Sequence, residues 1–180
     1  RQTGETRRVS VSSQGAQSNG YSLEAHLNSG GTHVVFSSLA STLVPGDTNS
    51  RYDTFVYDLT SETMQRVSVR SDGEQGNAHS WGGTLSADGS LVVFESTASN
   101  LVDGDTNGAG DLFLRDPTTG DLQIVSLTAD GGLANGTARK RWISGDGRYL
   151  VFESLATNMV PGDTNGHRDI FLLDLQTGDL

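Results

Sequence analysis

One unit of 58 residues occurs three times in this chain, with no insertion or deletion between copies. Val9, Val67 and Val125 are in register, as are Gly15, Gly73 and Gly131, and Phe36, Phe94 and Phe152. Asp58, Asp116 and Asp174 close the unit. The copies span 1–58, 59–116 and 117–174, and 175–180 reads as the start of a fourth. Self-similarity at a fixed period means a repeat architecture, in which each unit buries its apolar face against its neighbours. Residues 1–180 therefore read as one domain of three modules.

Within the second copy, Arg66-Val67-Ser68-Val69 alternates polar and apolar, which predicts a strand with one face buried. A second strand, His79 to Leu85, ends in the hairpin signal Ser86-Ala87-Asp88-Gly89. Leu91-Val92-Val93-Phe94 is apolar on both faces, as a strand packed between two layers must be. Asp111 to Asp116 reads as a fourth strand, and Thr118-Thr119-Gly120-Asp121 turns the chain into the next copy. No stretch of about 12 residues carries a helical period. The 23 glycines suit short strands joined by tight turns. Four strands per repeat, buried in the middle and half-buried at the outside, describe a blade of an all-β propeller; a β-helix is the alternative, with coils usually shorter than this unit.

The hairpins Ser86-Ala87-Asp88-Gly89-Ser90-Leu91-Val92-Val93-Phe94 and Ser144-Gly145-Asp146-Gly147-Arg148-Tyr149-Leu150-Val151-Phe152 resemble the core of the bacterial TolB-type, WD-like β-propeller repeat. The turns Asp116 to Asp121 and Asp174 to Asp179 are similar to its D-x-x-T-G-[ED] turn, while copy one departs at Asn28-Ser29-Gly30-Gly31. The resemblance covers the whole chain and implies that 21–27, 79–85 and 137–143 are the inner strands. It also implies that the alternating strand is outermost. The chain then opens on an outer strand at 7–12 that belongs to no blade of its own, and its third blade, ending at 169–174, lacks one.

Three blades fall short of the roughly four to eight that close a propeller. An open stack exposes strand edges and apolar faces. Two copies make six blades, the number the TolB-type resemblance implies, so the expected partner is the chain itself, as a two-fold homodimer closing the ring. A segment of a longer propeller and a head-to-tail strand-exchanged polymer are the rival arrangements. The chain starts without Met and shows no signal peptide, which reads as a mature or excised segment.

The loop before the fourth strand of copy two is Asp103-Gly104-Asp105-Thr106-Asn107-Gly108-Ala109-Gly110-Asp111, or D-x-D-x-N-G-x-x-D. Ca²⁺ takes six to eight oxygens around a sharply turned loop. The side chains of Asp103, Asp105, Asn107 and Asp111, with the Ala109 carbonyl, form a candidate cage. Leu114 stands where an EF-hand needs Glu, and the loop instead resembles those of integrin-type propeller blades. Copy one keeps Asp47, Asn49 and Asp53, and copy three keeps Asp163, Asn165 and Asp169, with Pro45 and Pro161 in place of the first acid. A structural calcium ion in each of up to three blades is the expectation. The same residue types also make Asx turns and cap strand ends.

A net charge of −10 argues against nucleic acid, whose phosphates need a basic face. No apolar run reaches the roughly 18 residues of a membrane span. The absence of Cys removes disulfides and thiolate metal sites. His26, His33, His79 and His167 do not recur at one position, and no G-x-S-x-G, H-E-x-x-H or phosphate loop is present. The expectation is a non-enzyme. Scaffold positions repeat but the inner strands diverge: Leu23-Glu24-Ala25-His26 aligns with Trp81-Gly82-Gly83-Thr84 and with Arg139-Lys140-Arg141-Trp142. Trp81 and Trp142 can stack on a sugar ring or anchor a peptide, or fill the inter-blade core; Arg139, Lys140 and Arg141 can meet an acidic group or pair with acids across the ring, and His26 lies beside them in the alignment. Together these predict an extracellular or periplasmic, calcium-stabilised propeller that binds protein or glycan. The alternatives are a propeller of a carbohydrate-active enzyme or peptidase, and a filament subunit.

Overall fold

The computed structural model describes residues 4–180. Eleven strands form three antiparallel sheets. The first contains β1 (Ser22–Leu27), β2 (His33–Ser38), β3 (Asp53–Asp58) and β4 (Met64–Arg66) in simple up-and-down order. The second repeats it with β5 (Ser80–Leu85), β6 (Val92–Ser96), β7 (Asp111–Arg115) and β8 (Leu122–Ile124). The third has β9 (Ala138–Ile143), β10 (Tyr149–Ser154) and β11 (Asp169–Asp174), with no fourth strand among the described residues.

Each hairpin between the first two strands of a sheet is closed by side chains that replace missing backbone partners. In the second sheet Asp88 Oδ1 accepts from the Ser86 hydroxyl (2.6 Å) and from the Ser90 N–H (3.0 Å), and Gly89 takes φ +78°. The first sheet does the same job with one residue: Asn28 Oδ1 accepts from the Thr32 and His33 N–H groups (2.9 and 2.8 Å). Its Nδ2 reaches across to the Ala87 carbonyl of the next sheet (2.8 Å).

The middle strands carry the core. Phe36 stacks on Phe55 (5.9 Å between ring centres) and Phe94 on Phe113 (5.6 Å), while Phe152 lies beside Phe171 (5.7 Å). Apolar clusters then cement sheet to sheet. Val35 and Val56 of the first sheet meet Leu85, Val92 and Phe94 of the second. Leu112 and Leu114 of the second meet Leu150 and Phe152 of the third. Each large side chain so buried contributes about 1.5–3 kcal/mol. At the first junction the approach is close enough that a Cβ on Gly83 would strike Val35.

The outer strands depart from the expected position. The sequence places them at 66–69 and 124–127, whereas β4 and β8 end at Arg66 and Ile124. After one more ladder bond, from Val67 N–H to the Thr54 carbonyl, the chain leaves the edge. The Ser68 hydroxyl takes over as acceptor for the Thr54 N–H (3.0 Å), and Ser126 does so for Leu112 (3.0 Å). Val67 and Val125 instead pack into the clusters between sheets. The expected outer strand at 7–12 pairs with no sheet; within it Val11 makes one isolated bridge, to Gln17.

Candidate functional site

The inner strands share an irregularity that their sequences hide. Glu24, Gly82 and Lys140 stand at the same place in the repeat and take φ of 54°, 51° and 49°. At each, the register to the neighbouring strand slips, which is the signature of a β-bulge. Only the middle copy carries the glycine that this conformation favours; for Glu and Lys it costs roughly 1–3 kcal/mol. Gly82 serves a second purpose, because a Cβ there would run into Arg141 and Glu24. The bulge re-aims the residues on either side of it, and they line a cavity of about 530 Å³.

The cavity is built from the diverging positions. Glu24 and His26 come from β1, Trp81 from β5, and Arg139 to Trp142 from β9. The structure separates the two tryptophans. Trp81 is half-buried and stacks on His79 (5.4 Å), whose Nδ1 accepts from the Tyr52 N–H (2.9 Å). Trp142 is 56 % exposed. The basic triplet divides as well. Arg141 is a structural strut, donating to the Trp81 carbonyl (2.8 Å) and to Glu95 (3.2 Å). Arg139 and Lys140 lie 4.0 and 3.4 Å from Glu153. Lys140 and His26 remain exposed.

Glu24, Glu95 and Glu153 are the members of this site that the sequence reading passed over. A signal for two of them existed: counting back through the hairpins sets Glu95 opposite Trp81 and Glu153 opposite Arg139. Burial pushes the Glu95 carboxyl up, against the pull of Arg141, and the nearby Glu24 charge adds to the rise. Burial likewise lowers the Arg141 guanidinium, against the pull of Glu95 and Glu24. The site is thus a nearly charge-balanced network with an exposed tryptophan and two exposed polar side chains, His26 and Lys140, at its edge.

The three acidic loops have a different internal order. In every copy the Asn amide donates to the last Asp of the loop: Asn49 to Asp53 (3.0 Å), Asn107 to Asp111 (2.9 Å) and Asn165 to Asp169 (3.0 Å). The Asn oxygen accepts a backbone N–H two residues on, from Arg51, Ala109 or His167. In the second copy Asp103 does not turn into the loop. It is 94 % exposed at its side chain and pairs with Arg70 (3.1 Å). In the first copy a protein cation already lies between the acids, with Arg66 Nη1 3.2 Å from Asp47 and 3.4 Å from Asp53.

Among the described residues no group of three or more His, Asp or Glu is gathered as a metal site. In the second copy Asp103 stands apart from the other loop acids, and with Arg66 between its acids the first copy does not fit a metal. The pair Asp105 and Asp111 fits better. Ile124 replaces the arginine there, burial pushes both carboxyls up, and the charge of Asp111 adds to the rise at Asp105.

No protein-family model and no curated protein matches the chain. Solved structures do. The chain is similar to a putative TolB from Agrobacterium tumefaciens at 14 % identity and TM-score 0.51, over 87 % of this chain and 48 % of that one. It is similar to the β-propeller domain of the Trilobed protease from Pyrococcus furiosus at 12 % identity and TM-score 0.54, over 89 % and 40 %. It matches Pyrococcus horikoshii acylaminoacyl peptidase at 10 % identity and TM-score 0.51, over 89 % and 24 %. The fold is that of a β-propeller. The chain spans less than half the length of these structures. Each sheet is a blade, with β1, β5 and β9 as the inner strands. A fold of this kind hosts both peptidase domains and other proteins, so function must be argued from the site. Among the described residues no helix is long and apolar enough to cross a membrane.

Proposed function

We propose that this chain is a non-catalytic binding module of the β-propeller class, recognising protein or glycan at the inner-strand cavity. The observation that carries this reading is the bulge. A left-handed backbone is kept at one position in all three blades, at a cost in strain for Glu24 and Lys140, while the side chains around it differ in each. Strain held at a concave surface is typical of binding sites. Trp142 supplies a flat apolar face for a sugar ring or a peptide side chain, and Lys140 and His26 supply polar contacts beside it. Trp81 and Arg141 hold the wall behind them and are positioning residues.

A structural cation at Asp105 and Asp111 of the second blade belongs to the same reading. Extracellular calcium modules bind with Kd of about 10⁻⁴–10⁻³ M, so such a site fills outside the cytoplasm, in an extracellular or periplasmic setting. The test is a screen of the purified chain against glycan and peptide arrays, repeated with Trp142→Ala. Binding that falls at least about tenfold in the variant, with the melting temperature unchanged, supports the reading. Hydrolysis of any arrayed sugar or peptide by the wild-type chain sinks it in favour of an enzyme's propeller.

A further inference from the structure

Blades one and two share a latch at their outer edge. In blade one the Ser68 hydroxyl donates to Asp53 Oδ1 (2.6 Å), and Arg66 bridges Asp47 and Asp53. In blade two Ser126 donates to Asp111 Oδ1 (2.8 Å). Asp53 and Asp111 are fully buried as a result. Blade three has the acids but not the latch. Asp169 is partly exposed, and Asp163 Oδ1 is a buried oxygen with no hydrogen-bond partner.

The missing parts occur elsewhere in the chain. Arg8-Val9-Ser10-Val11 repeats Arg66-Val67-Ser68-Val69 residue for residue. Val9 and Val11 pack against the core of blade one, as Val67 packs into the junction with blade two. Arg7 reaches Tyr57 (3.1 Å) and Glu62 (3.1 Å) of blade one, as Gln65 reaches Pro117 beyond its own blade. The segment therefore already sits in the pose of an outer strand leaving a preceding blade. Alternation turns Arg8 and Ser10 away from blade one, toward where that blade would stand.

We propose that residues 6–10 of a second copy complete blade three, with Arg8 between Asp163 and Asp169 and Ser10 bonded to Asp169. The register follows from blade one, where Phe55 faces Arg66 and Val56 faces Gln65. It sets Phe171 opposite Arg8 and Leu172 opposite Arg7 of the other copy. The apolar faces agree. Leu27, Ile170 and Leu172 are 60 %, 65 % and 55 % exposed, whereas their counterparts Leu85, Leu112 and Leu114 are 7 %, 0 % and 9 % exposed at the internal junctions. A second copy thus extends an interface the chain already makes twice. Three blades do not close a ring of the usual size, and a two-fold pair satisfies both open edges at once. The proposal stands apart from the ligand reading of the cavity.

The test is light scattering on the 180-residue chain and on Arg8→Glu, an exposed position whose change leaves each protomer folded. The expected result is a dimer of about 38 kDa, twice 19.0 kDa, whose dissociation constant rises at least about tenfold in Arg8→Glu. The charge swap Arg8→Asp with Asp163→Arg is expected to restore it. An independent readout is available because the chain has no cysteine. Arg7→Cys with Leu172→Cys should oxidise to a covalent dimer that goes no further. A folded wild-type monomer, an open-ended ladder of species, or a dimer indifferent to both Arg8→Glu and the cysteine pair would each overturn the proposal.

Discussion

Ser126→Ala tests the latch where it is complete. The hydroxyl is fully buried; it donates to Asp111 Oδ1 at 2.8 Å and accepts from the Leu112 N–H at 3.0 Å. Its removal strands a buried carboxylate oxygen and a buried amide together. A hydrogen bond to a charged group is worth about 1.5–3 kcal/mol, and an unsatisfied buried N–H costs about 1–3 kcal/mol. The expected loss is about 3–5 kcal/mol, or about 6–20 °C in melting temperature for a chain of this size. Urea and calorimetric unfolding measure it. The pH dependence is fixed in sign: burial already raises the Asp111 carboxyl, and Ser126 opposes that rise. Losing Ser126 raises it further, so the penalty is full above the folded pKa and shrinks as the pH falls and the acid is protonated. A loss below about 1 kcal/mol in Ser126→Ala, or a loss that grows on acidification, would refute the reasoning.

Two further outcomes can be checked directly. Asp88 is held down to about 2 by the Ser86 hydroxyl first and then by the Ser90 N–H. Its contribution is present above the ordinary 3.8 and lost as the pH falls through about 2, so Asp88→Asn should destabilise the chain at pH 6 and do so progressively less as the pH falls toward and below about 2; an NMR titration of Asp88 with an ordinary midpoint would contradict this. Calcium at about ten times a Kd of 10⁻⁴–10⁻³ M should raise stability by about 1–2 kcal/mol, an effect abolished in Asp105→Asn and kept in Asp47→Asn. No calcium-dependent shift in the wild type would remove the cation from the blade-two loop.

The blade itself was legible in the residues. The repeat and its hairpin signals carried the resemblance that implies inner strands at 21–27, 79–85 and 137–143, and β1, β5 and β9 lie inside those limits. The outer strand was misplaced because Ser68 and Ser126 look like ordinary polar partners in an alternating run, while their hydroxyls end the ladder. The bulge left a glycine only at Gly82; Glu24 and Lys140 carry no local mark of a left-handed backbone. The acidic loops carry contacts that no local pattern shows. Arg70, 33 residues away, draws Asp103 out, and Arg66 answers the acids of the first copy. The pairing of Arg139 with Glu153 needed only the hairpin register, which was within reach, whereas Arg141 meets Glu95 across two blades.

The hand-over at Arg66 and Val67 bears on how the molecule comes apart. One continuous peptide finishes a sheet and, a residue later, is part of the apolar seam with the next. In stacked repeats whose units touch only through side chains, each unit can melt on its own and the array unravels by steps. Here, opening one blade pulls the seam residue from its neighbour, and opening the neighbour frees the edge strand of the first. The two failures are mechanically the same event, so amide exchange across the three sheets should converge on one shared, global opening rather than on three separate ones.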